Sequence, residues 1–125
     1  MAMVVPPPPL PERAVRQRLG AGPHFVAVLD RLGMDASEVP LVPEAVRWRL
    51  WSLLRHCYGS FADHHGLDLI SPPPEAVDAD GLLGERYWGP DPTHAGPSYG
   101  TLVLDQLFGW ADAGSSSRPS GEGSR

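Results

Sequence analysis

The sequence predicts a mostly α protein: a small irregular helical domain built around one long central helix, with Pro/Gly-rich loops and disordered termini. Three observations carry this. Glu44 to His65 runs 22 residues without a proline and with helical periodicity. Two shorter stretches, 11–19 and 23–32, repeat that period, and no segment sustains the alternation of period two that marks a half-buried strand.

In the long stretch, steps of about 100° place Leu53, Val46, Cys57, Leu50, Phe61, Leu54, Tyr58 and Trp51 on one arc roughly 160° wide. Arg49, Ser52, Arg55, His56, Ser60 and Asp63 fill most of the other side, with Trp48 as an apolar intruder. An arc that wide suits a helix pressed into a globular core rather than a narrow two-stranded seam. The expectation is therefore a rod whose apolar face is buried and around which the rest of the chain collapses.

The other elements follow in order. Residues 11–19 open with Pro11 and Glu12, a favourable first turn, and carry Val15 and Leu19 four apart. Gly20-Ala21-Gly22 breaks this helix. Residues 23–32 place Phe25, Val28, Leu29 and Leu32 on one face, and Gly33 supplies a stop. Asp35-Ala36-Ser37-Glu38 has the spacing of a capping box, but Pro40 limits it to a turn. Pro43 and Glu44 start the long helix and Gly66 ends it. Ser71-Pro72-Pro73-Pro74 reads as a rigid connector, 75–83 as a short helix, and 84–97 as loop. The final segment, 98–111, sets Leu104, Leu107, Phe108 and Ala111 on one helical face, though 101–104 also reads as a short strand.

Residues 1–9 contain Pro6-Pro7-Pro8-Pro9, which lacks amide donors, and read as a disordered Pro-rich tail. Residues 114–125 are Gly, Ser, Arg, Pro and Glu and read as a second disordered tail. The folding unit is 10–113, one domain able to bury a core of modest size.

A net charge of −5 argues against general affinity for nucleic acid or an acidic membrane surface. All ten basic residues are arginine, beside 14 glycines and 15 prolines, which reads as the codon usage of a GC-rich bacterial or phage genome. The single cysteine rules out an internal disulfide framework and fits the cytoplasm. Four early prolines interrupt any secretory apolar run, and no stretch reaches the ~20 apolar residues of a membrane span.

Chemistry-bearing groups are sparse. His56, Cys57, Asp63, His64, His65 and Asp68 form the densest set of metal-ligand types, and His94 could join from the loop. Neighbours such as His64 and His65 point about 100° apart, however, and helical ligands converge at spacings of three or four. Ser60, His56 and Asp63 share a face, but seven residues at 1.5 Å rise put Asp63 ~10 Å from His56, too far to orient its ring. Cys57, central in the apolar arc, reads as a buried thiol acting as a small hydrophobe. His24 reads as a surface residue. No phosphate-binding glycine motif occurs, and a chain without lysine has no P-loop. No cofactor is called for.

The functional expectation is a non-enzymatic interaction or accessory factor: an adaptor, immunity-type or assembly protein whose partner is another protein. Trp48, Arg49, Arg55, Tyr87 and Trp88 are the candidate contact residues, because Trp, Tyr and Arg dominate interface energetics. Tyr87, Trp88, Tyr99, Phe108 and Trp110 can equally fold back as a lid on the core. The alternatives are a small metal-binding protein or metalloenzyme using the 56–68 cluster, and a helix-turn-helix-like DNA binder reading through Arg47, Arg49 and Arg55.

Overall fold

A computed structural model describes residues 1–116. The chain runs through strand β1 (Ala2–Val4), helices α1 (Glu12–Leu19), α2 (Pro23–Leu32) and α3 (Glu44–His65), strand β2 (Asp68–Ile70), two 3-10 turns (Pro74–Ala76 and Glu85–Tyr87) and helix α4 (Pro97–Ser116). The fold is mostly helical, and its one sheet among the described residues is the parallel β1–β2 pair, with Met3 opposite Leu69.

The helix boundaries follow the expected punctuation. α2 stops at Gly33 and α3 at Gly66, both left-handed (φ 65° and 63°), where a side chain at Cβ is disfavoured. Asp35 accepts from the Ser37 amide at 3.0 Å, closing the turn before Pro40. α4 is helical throughout, so the strand alternative for 101–104 falls away. The expected helix at 75–83 shrinks to a single 3-10 turn; Asp78, Gly81 and Leu82 instead make a tight loop closed by the Asp78 amide on the Leu82 carbonyl at 2.8 Å.

Residues 1–9 are ordered, contrary to the expected tail. β1 pairs with β2, and the Val5 amide continues the ladder onto the Ile70 carbonyl at 2.9 Å. The polyproline run then crosses the molecule with Val5 and Pro8 fully buried. Prolines lack donors but keep carbonyl acceptors. Pro6 O accepts from the Trp51 indole (3.1 Å), Pro9 O from the Leu83 amide (3.0 Å), and Leu10 O from Arg47 Nη1 (2.7 Å). A stretch already extended in solution loses little entropy on docking. The expected tail at 114–125 falls partly in α4, which runs through Ser116; its remainder lies outside the described residues.

The core does not centre on α3. It joins Leu10 and Ala14 to Ala76, Leu83, Trp88 and Tyr99, with Val15, Tyr87, Ala95, Leu102 and Val103 packed around them. The Pro-rich second half thus closes on α1 and the start of α4. α3 lies along one side, holding the polyproline run through Trp51 and β2 through a Gly59–Leu69 approach. Its buried or half-buried positions include Arg47, Trp51, Tyr58, Gly59 and Ala62. That inward line lies roughly 100° from the centre of the apolar arc.

Candidate functional site

Rotation of α3 leaves most of its apolar arc facing solvent. Val46, Leu50, Leu53, Leu54 and Phe61 are between 42% and 60% exposed, and Cys57 sits exposed among them. The expectation that this arc packs a core and buries Cys57 is corrected: only its edge, Trp51 and Tyr58, turns inward. The cause is polar. Trp48 and Trp51 donate to backbone carbonyls on the 78–82 loop and the polyproline run, and Arg47 to the Leu10 carbonyl, acceptors that aliphatic side chains cannot use.

The candidate contact residues separate. Trp88 is buried, with its indole N–H on the Leu83 carbonyl at 2.7 Å and its ring beneath the Arg13 guanidinium at 4.9 Å. Arg18 lies 5.9 Å from the same ring and donates to the Gly89 carbonyl at 2.9 Å. Trp88 is therefore a core anchor rather than an exposed contact, and Tyr87 beside it is half-buried. Trp48 keeps an exposed flank while its indole N–H reaches the Gly81 carbonyl at 3.2 Å. Arg49 is exposed beside it, in an open cleft shared with Glu44 and Asp80. Arg55 is exposed and lies over Trp51 at 5.6 Å. Trp48, Arg49 and Arg55 are thus brought to one helix, away from Trp88.

The histidine cluster does not converge. His65 lies 4.2 Å from the Phe61 ring and 4.9 Å, edge-on, from His64. Among the described residues no group of three or more His, Cys, Asp or Glu side chains is placed to hold a metal ion. His56, Ser60 and Asp63 line an open cleft of about 360 Å³ with Ser52, Arg55 and Ser71, and no hydrogen bond joins the three. His24 is exposed, its ring edge against Phe25. His94 is held by Asp91 at 2.9 Å within the loop, far in sequence from the 56–68 cluster.

Three shifted ionisations belong to the framework rather than to chemistry, and in the first the Ser37 amide and hydroxyl hold the Asp35 carboxyl below its ordinary value. Partial burial opposes ionisation of Asp91. Hydrogen bonds from the Thr93 amide and hydroxyl and from His94 outweigh it and hold its carboxyl at about 2. Burial pushes the Tyr99 phenol up to about 12, and its hydroxyl has no partner among the described residues.

One feature escaped sequence reasoning. Arg47, named above only for the DNA-binding alternative, turns inward beside an apolar cleft between α1, α2 and the start of α3. At about 100° per residue Arg47 falls inside the apolar arc, between Leu54 and Tyr58, whereas Arg49 and Arg55 fall on the polar side; that position was the signal that sets it apart. Among the described residues no helix is long and apolar enough to cross a membrane. Comparison of the chain with protein-family models, with curated proteins and with solved structures gives no match.

Proposed function

We propose that this is a non-enzymatic protein-interaction factor, an assembly or accessory protein of a GC-rich bacterium or phage, working through the exposed apolar face of α3. One observation carries the reading: five large aliphatic and aromatic side chains in a single stripe are each more than two-fifths exposed. Together they offer on the order of 450 Å² of apolar surface, within the range of the largest patch on a soluble monomer, which is often functional. Residues 117–125, Ser-Arg-Pro-Ser-Gly-Glu-Gly-Ser-Arg, contain nothing apolar with which to cover it. A cytoplasmic setting is supported by the lone, unpaired Cys57.

The occupant we assign is a second copy, with two α3 helices antiparallel. The stripe is self-complementary about the Leu53–Leu54 bond: Val46 meets Phe61, Leu50 meets Cys57, and Leu53 meets Leu54, so that the smaller Val46 and Cys57 stand opposite larger side chains. Flanking side chains then extend the contact toward the roughly 800 Å² per partner of a specific interface.

Sedimentation velocity from about 1 µM to about 1 mM tests this over the range of ordinary affinities. The expected result is a concentration-dependent dimer, abolished by Leu50→Glu with Leu53→Glu while the far-UV spectrum is unchanged. A wild-type chain that remains monomeric throughout overturns the assignment. Orientation is read separately by oxidation. Antiparallel packing holds the two Cys57 Cα atoms about 10 Å apart along the axis, beyond disulfide reach, whereas a parallel pair brings them together and cross-links.

A further inference from the structure

We propose that the cleft between α3 and β2 takes up a short extended segment of another protein, added antiparallel to the open edge of β2. An acidic side chain of that segment meets Arg55, and a basic one, four residues on, meets Asp63. None of Val46, Leu50, Leu53, Leu54 and Phe61 lines this cleft, so the proposal goes beyond the second-copy reading of the apolar stripe and stands apart from it.

Among the described residues β2 has one neighbouring strand, β1. The Asp68 amide donates to the Met1 carbonyl at 3.1 Å, and the Ile70 carbonyl accepts from the Val5 amide at 2.9 Å. Asp68 and Ile70 therefore turn their backbone groups to β1, and alternation along the strand directs the Leu69 amide and carbonyl to the opposite flank. Neither has a hydrogen-bond partner among the described residues. A strand edge with an open donor and acceptor is a template for another extended chain. The cleft lies on that flank: Leu69 and Ser71 border it on one side, the polar face of α3 on the other, and no residue of β1 lines it. Gly59 leaves the middle of the α3 wall without a side chain, which gives a strand room to approach.

Charge sets the occupant and its direction. Arg55 stands at one end of the cleft and Asp63 at the other, both exposed and neither in an ion pair among the described residues. Eight positions of helix, at about 1.5 Å each, set their Cα atoms about 12 Å apart. An extended chain covers that span in about four residues at ~3.3 Å each, and residues i and i+4 then point to the same face. A lone ion meets only one of the two charges, and a free amino acid is too short to meet both. β2 runs back along α3, from the Leu67 amide on the Ala62 carbonyl at 2.8 Å, past Gly59, to Pro72 beside Trp51 and Arg55. Antiparallel pairing, the more stable per residue, therefore puts the acid N-terminal to the base, and the residue midway between them exchanges both bonds with Leu69.

The test titrates the full chain, in low salt, with two end-blocked pentapeptides, Glu-Thr-Val-Thr-Arg and Arg-Thr-Val-Thr-Glu, followed by backbone amide NMR. The first is expected to bind at least about fourfold more tightly, since it gains two exposed ion pairs where the second meets two repulsions. Saturation with it is expected to slow hydrogen exchange of the Leu69 amide at least about tenfold. Methylating the valine nitrogen of the peptide removes the donor to the Leu69 carbonyl and is expected to weaken binding at least about fivefold, with the protein unaltered. Exchanging the charges, Arg55→Glu with Asp63→Arg, is expected to invert the preference between the two peptides. No binding of the first peptide up to about 1 mM, a preference that survives the charge exchange, undiminished affinity of the methylated peptide, or an unchanged Leu69 exchange rate overturns the proposal.

Discussion

Leu53 and Leu83 make opposite demands on the same substitution. Leu83 is fully buried in the core, beside Ala76 and Trp88, so Leu83→Ala removes the transfer term and leaves a cavity, costing about 2–5 kcal/mol. Leu53 is 60% exposed, so Leu53→Ala forfeits only the remaining two-fifths of a transfer term of about 1.5–3 kcal/mol, and opens no cavity. The expected cost in the monomer is about 1 kcal/mol or less. At about 4–8 °C per kcal/mol for a domain of this size, Leu83→Ala lowers the melting temperature by at least about 8 °C, and Leu53→Ala by less than that. Urea unfolding followed by far-UV circular dichroism at about 1 µM protein, where self-association contributes least, measures both. At high concentration the Leu53→Ala penalty should grow, because the stripe is then buried between copies. Equal penalties at 1 µM refute the placement of α3: the apolar arc then faces the core, and the argument for a contact surface goes with it.

Two further outcomes follow from local geometry. Gly81 has φ 80°, and a Cβ there falls 2.7 Å from the Trp48 indole nitrogen, so Gly81→Ala should destabilise by at least about 1–2 kcal/mol from backbone strain alone; a neutral or stabilising result in urea denaturation contradicts the loop geometry. Asp91 has a depressed pKa when folded, so its stabilisation is complete above its ordinary 3.8 and is lost as pH falls toward about 2. Asp91→Asn should therefore flatten the acid limb of the stability curve between those values, and an unchanged limb removes Asp91 from the account.

The local signals in this chain were readable because they are short-range. Gly33 and Gly66 stop their helices through φ, Asp35 closes a turn with its own neighbour, and the 3.6-residue period of 44–65 needs no partner to appear. Which side of that helix turns inward depended on partners 30 to 45 residues away. Arg47, Trp48 and Trp51 bond to carbonyls of Leu10, Gly81 and Pro6, and those bonds set the face that docks. A hydrophobic arc reports which residues dislike water, not which surface is left to cover them. The same blindness hid the order of the polyproline run, whose lack of donors was visible while its use as a row of acceptors was not.

The sequence by itself determined a mostly helical chain, the limits of its first three helices and the lack of a local catalytic or phosphate-binding sequence motif, since each rests on contacts within a few residues. Only the tertiary structure decided that Trp88 is core, that the leucines of α3 face solvent, and that Arg47 has no counter-charge among the described residues where it borders an apolar cleft. Those facts depend on how distant segments divide a limited supply of backbone acceptors and apolar cover, which no spacing along the chain encodes.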